Sequence, residues 1–135
     1  MSVLVNCLAV GAGGFIGSVA RYLVGLLPAA LGAKSVLGGF PVATFSINVV
    51  GAFAIGFIAA WATRDAQMSP ELLLLLKVGI CGGFTTFSTF SLESMQLIDT
   101  GAWAMAVAYM VLSVIACLGA VLAGDALAGS LPQGG

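Results

Sequence analysis

At 135 residues the chain has the length of one domain. Hydrophobic residues make up 61% of it and charged residues only 7%, too few charges to coat a soluble globule, so the sequence is that of an integral membrane protein. A net charge of −1 gives no electrostatic case for nucleic acid, and the lack of any histidine excludes imidazole chemistry and His-ligated metal sites.

The pattern predicts an all-α protein with four membrane-spanning segments in a single domain over residues 1–135. The first span runs from about Val3 to Leu27 and ends at Pro28. No Lys or Arg lies between Met1 and Asn6, and the apolar run outlasts a signal-peptide core. The segment is therefore read as a retained span, despite the small residues Pro28-Ala29-Ala30. Gly13, Gly17, Arg21 and Gly25 recur every four residues on one helix face. Small residues at that spacing allow close helix packing. Arg21 has two readings: a side chain that snorkels to the interface, or fixed positive charge at a vestibule that gathers anions.

Pro28 to Phe40, with Lys34, reads as a Gly/Ala-rich loop with room for a short helix. The second span begins near Pro41 and reaches about Ala62. Thr44, Asn48, Gly51 and Ile55 share one of its faces. Asn48 is an uncharged amide in an apolar helix, suited either to bonding another helix or to donating to an anion while its oxygen is held elsewhere. Thr63 to Ser69 is a polar linker, and Ser69-Pro70-Glu71 combines an N-cap hydroxyl, a first-turn proline and an acid at a helix start.

The third segment extends to about Ile98, but its first part, up to Cys81, is about 12 residues or roughly 18 Å, too short to cross ~30 Å of hydrocarbon. Gly79 to Glu93 then reads Gly-Ile-Cys-Gly-Gly-Phe-Thr-Thr-Phe-Ser-Thr-Phe-Ser-Leu-Glu. Gly79 and Gly83 are a small-residue pair for packing, while Gly82-Gly83 before Thr85-Thr86 weakens the helix. A break there leaves carbonyl oxygens unpaired in the membrane, and a bound cation is one way to satisfy them. Phe87 and Phe90 face the same way among Ser88, Thr89 and Ser91. They are either packing residues or ring edges turned to a small anion, because the edge carries the positive part of the aromatic quadrupole. Glu93 is open to interfacial placement, to pairing with Arg21 or another group, or to proton coupling.

Asp99-Thr100-Gly101 reads as a tight connection, the last span covers about Ala102 to Ala123, and the tail after Gly124 is expected to fray. Tyr109, Ser113 and Cys117 draw a weakly polar line along one face of that span. Cys7, Cys81 and Cys117 lie in apolar stretches without a CxxC pairing and read as free thiols. Arg21 and Lys34 fall toward the first loop, Arg64 and Lys77 toward the second. That tie removes the usual orientation bias, either because a small membrane protein simply has few charges or because the chain inserts both ways and pairs with an inverted copy.

The stretches Gly13-Gly14-Phe15-Ile16-Gly17-Ser18-Val19-Ala20-Arg21-Tyr22, Thr44-Phe45-Ser46-Ile47-Asn48-Val49-Val50-Gly51 and, above all, Gly79 to Glu93 resemble the Fluc/CrcB family of fluoride channels. The resemblance implies a non-enzymatic, multi-pass protein of the cell (inner) membrane that passively exports cytoplasmic fluoride. It further implies an antiparallel, dual-topology homodimer with two pores and a central structural sodium ion. By motif position the sodium would rest on the backbone carbonyls of Gly82 and Thr85. Pore residues would be Asn48, Phe87 and Phe90, beside Ser88 and Thr89, with the polar track of the last helix at Tyr109, Ser113 and Cys117, where a cysteine replaces an expected hydroxyl. Two rival functions are a small dual-topology multidrug-type exporter, which wants an early membrane carboxylate that the first span lacks, and a non-transporting membrane scaffold built on the glycine stripes.

Overall fold

A computed structural model describes residues 2–30, 39–64 and 67–131. Every regular element among them is helical: α1 (Val3–Ala30), α2 (Val42–Arg64), α3 (Pro70–Leu73), a π-helical stretch (Leu74–Cys81), α4 (Gly82–Phe84), α5 (Phe87–Asp99) and α6 (Trp103–Ser130). Four segments are long and apolar enough to cross a membrane, the third being the composite Pro70–Asp99. Large side chains such as Phe15 and Leu118 stand exposed on their outer faces, as a lipid solvent requires and water would not favour.

Two close crossings organise the bundle. In the first, α1 lies against the π-helical stretch and α4 along a glycine seam. A Cβ on Gly79 would meet the Gly13 Cα at 2.7 Å, and one on Gly83 would meet the Gly14 carbonyl oxygen at 2.7 Å. Gly17 is equally closed, by the backbone of Ile80 and Phe84, whereas Gly25 meets nothing among the described residues and takes no part in the seam. In the second crossing α2 packs on α6, with Gly56 against the Val121 backbone and Gly124 against that of Phe53 and Phe57. Without a hydrophobic force between helices in lipid, such backbone-level contact is what draws them together.

Helix ends follow local chemistry. Ser69 sits extended (φ −68°, ψ 145°) and its Oγ accepts from Leu72 N–H at 3.2 Å, with Pro70 following and Glu71 in the first turn. At the other end of the composite span, Gly101 adopts φ +80°. Its N–H donates to the Ile98 carbonyl (2.9 Å) while Ala102 N–H donates to Leu97 (2.8 Å), the paired bonds of a glycine C-cap.

Four boundaries differ from the sequence reading. α1 passes Pro28 and is helical to Ala30; a proline removes one N–H, here in the last described turn, and does not end the helix. Pro41 lies just ahead of α2, accepting from Phe45 N–H at 3.1 Å, and the helix continues to Arg64. The expected fraying after Gly124 is overturned for the described residues, since α6 extends to Ser130; residues 132–135 lie outside them. Gly124 is locked in the crossing with α2, and Arg64 Nη1 donates to the carbonyls of Ala128 (3.0 Å) and Gly129 (2.6 Å), supplying donors to the helix end. Finally, Gly82 remains helical (φ −65°, ψ −38°) and the chain breaks three residues later, at Thr85 (ψ 159°) and Thr86 (ψ 113°). Most of the Gly/Ala-rich segment after Pro28, including Lys34, lies outside the described residues.

Candidate functional site

The break is held by hydrogen bonds that replace helical ones. Thr86 N–H, which a continuous helix would give to the Gly82 carbonyl, donates to Asn48 Oδ1 at 2.8 Å. Asn48 Nδ2 returns a bond to the Thr86 carbonyl at 3.1 Å. The side-chain amide thus pairs with the backbone of one residue as a neighbouring strand would, satisfying both polar groups of Thr86 within the membrane. One of the two Nδ2 hydrogens is used this way and the other is left over.

The helix restarts on a hydroxyl. Thr86 Oγ1 accepts from Thr89 N–H at 3.2 Å, capping α5, and also donates to Thr89 Oγ1 at 3.0 Å. This diverts the N–H that would otherwise close on the Thr85 carbonyl. The carbonyls of Gly82 and Thr85 therefore both lose their usual i+4 partners. Thr85 Oγ1 is turned back to the Cys81 carbonyl (2.9 Å) and is not a free group.

Beyond the break, α5 lays Phe87 and Phe90 side by side with ring centroids 5.4 Å apart. Phe90 also meets Tyr109 at 5.1 Å, and Tyr109 meets Phe40 edge-on at 5.3 Å. Phe87 is 78% exposed. One turn past Phe90, the Glu93 carboxylate accepts from Thr44 Oγ1 and from Tyr109 OH, each at 2.8 Å. Its partners are thus hydroxyls of α2 and α6, and no ion pair with Arg21 forms among the described residues. Arg21 is half-buried on α1 with its Nε shielded and without a hydrogen-bond partner among the described residues.

A cavity of about 350 Å³ opens beside the break. Its wall brings together Asn48, Gly82, Thr85, Phe87, Phe90, Ser113 and Cys117 from α2, the composite span and α6. Ser113 is 6% exposed and its Oγ has no hydrogen-bond partner among the described residues. Tyr109, fully buried, lies off this cavity with Glu93, and Ser88 is exposed within bonding range of Thr86 Oγ1 (3.3 Å). Arg21, Ser88, Thr89, Tyr109 and Glu93 do not line the cavity. The sequence reading overlooked Thr86 as the hub of the break, Thr44 as a carboxylate partner and Phe40 as a ring against Tyr109. The shared face of Thr44 and Asn48 was the one signal that pointed toward them.

A family model described as CrcB-like protein, Camphor Resistance (CrcB), matches residues 8–125. The chain belongs to the CrcB family. Among its CrcB relatives is a protein from Chlorobaculum tepidum named fluoride-specific ion channel FluC, 47% identical over 126 residues, covering 93% of this chain and 96% of that one. A FluC of Caulobacter vibrioides is 46% identical over 119 residues (87% and 90% of the two chains). One from Ruminiclostridium cellulolyticum is 41% identical over 128 residues (95% of each). The CrcB match takes in the two middle spans, most of the first and last, the break and the cavity wall, and these relatives are channels by name rather than enzymes.

Proposed function

We propose that the chain is a fluoride-selective channel that lets cytoplasmic fluoride leave the cell down its gradient. The observation that carries this reading is the Asn48-pinned break beside a cavity, in a chain whose near full-length relatives are named fluoride-specific ion channels. Fluoride enters acidified cells as neutral HF and is trapped as the anion, so a path for the anion alone is protective.

Selectivity follows from replacing water by a few donors in a narrow, mostly apolar route. The spare Nδ2 hydrogen of Asn48 and the unpartnered Ser113 hydroxyl supply hydrogen bonds, and the edges of Phe87 and Phe90 supply weak positive potential. Weak contacts suit conduction, since a tightly bound ion does not leave. Thr44 and Tyr109 donate their hydroxyls to Glu93, which ties α2 and α6 to α5 behind Phe90. Thr89 holds the start of α5 in place and Ser88 stands outside the cavity wall. Arg21 provides fixed positive charge that draws anions toward the mouth.

The working unit is an antiparallel, dual-topology homodimer with two pores, in the (inner) cell membrane. An exposed Phe87 and a cavity open on one side support a second copy completing the wall. Two carbonyls from each copy, those of Gly82 and Thr85, suit a hard cation such as sodium, because both have lost their helical partners. When bound, the ion supplies the positive charge that those oxygens lack and ties the two breaks together.

Expression in a bacterial strain lacking its own fluoride exporter tests the function in cells. Growth in millimolar-range fluoride should be restored by the wild-type chain; unchanged sensitivity with protein present in the membrane would count against the channel.

A further inference from the structure

Two thiols face the cavity. Cys117 is half-buried on α6 and Cys81, 4% exposed, stands at the end of the π-helical stretch; both lie on the same wall as Ser113, whose buried hydroxyl has no partner. Neither sulfur is in a disulfide. Ile55, Val114 and Val121 make the lining beside them largely apolar, with Asn48 and Thr85 among its few polar side chains. Sulfur is the softest donor a protein offers, and soft cations prefer it over the oxygen ligands that hold hard ones.

We infer that this cavity is a binding site for soft, thiophilic cations, with Cys117 as the anchoring ligand and Cys81 as a second sulfur on the same wall. The step needs no oxidant. With the methylmercury cation, the Cys117 S–H bond breaks, an S–Hg bond forms, and the proton passes to water. The bound group then occupies space shared with Asn48 and Phe87. The expectation that it blocks fluoride rests on the channel reading above; the expectation that it binds does not.

The test uses methylmercury on the full-length chain in liposomes, with intact mass and peptide mapping to place the adduct and a fluoride electrode to follow efflux. A Cys7→Ser background removes the exposed thiol on α1. In that background the adduct is expected on Cys117, and efflux should slow by roughly tenfold and recover when a small competing thiol strips the metal. In Cys7→Ser/Cys117→Ser, the treated rate should equal that variant's own untreated rate. Block that persists in the double variant or an adduct confined to Cys81 would each overturn the assignment; an adduct on Cys117 without slowing would uphold the site and overturn the block. Should untreated liposomes show no efflux, the channel reading fails while the mass measurement still decides the thiol site.

Discussion

Asn48 does two things at once: it closes the backbone of Thr86 with bonds of 2.8 and 3.1 Å, and it borders the cavity. Replacing it with alanine leaves an N–H and a carbonyl unpaired, at about 1–3 kcal/mol for each buried group. Asn48→Ala should therefore lower the unfolding midpoint in detergent as well as slow fluoride flux; full stability would show that water or lipid headgroups replace the amide. Phe87 and Phe90 separate function from stability differently. Phe87→Ile or Phe90→Ile should cut flux by about tenfold or more while the dimer elutes intact, because the apolar volume is nearly kept and the ring edge is lost. Unchanged flux in both would make them packing residues. The amide in an apolar helix is visible in the sequence, yet its partner lies 38 residues away and only tertiary geometry identifies Thr86.

The helices carry the parts of the fold that were most and least legible. The four spans, the Ser69 cap and the Gly101 stop follow from composition and local signals, since apolar length, N-cap hydroxyls and left-handed glycines act within a few residues. The π-helical stretch has no such signal: Leu74–Cys81 is an almost uniform apolar run, compatible with either helical register. Gly82-Gly83 suggested a break, but Gly83 is packed on the Gly14 backbone and stays helical, so the chain gives way at Thr85 and Thr86, where Asn48 offers an alternative partner. Likewise the overrun of α6 depends on Arg64 and the Gly56–Val121 crossing, both remote in sequence. These contacts set the expected mutational pattern. Gly13→Val or Gly17→Val should abolish folded protein on size exclusion, whereas Gly25→Ala, facing open space, should be neutral or stabilise by roughly 0.5–1 kcal/mol. Arg64→Ala should speed hydrogen exchange over residues 127–131 alone; exchange unchanged there would remove Arg64 as the cap.

On the proposed reading the chain is incomplete along one side. Phe87 is 78% exposed, the cavity is unclosed there, and the freed carbonyls of Gly82 and Thr85 are too few to dress a cation by themselves. A second, inverted copy meets all three needs, and the even split of Arg21 and Lys34 against Arg64 and Lys77 permits it. Tags at the C-terminus should accordingly be labelled from both faces of the membrane; labelling from one face only would leave a parallel arrangement. The proposed dimer and its ion would arise where two chains meet, so in the sequence only the charge tie and the weakened helix before Thr86 point toward them. The claim that unites these levels is selective passage of fluoride, and purified protein in liposomes tests it most directly. With fluoride inside, an electrode outside should record rapid release on addition of a potassium ionophore, and the same liposomes loaded with chloride should release almost none. Equal release of the two anions, or no fluoride release from folded dimer, would contradict the account.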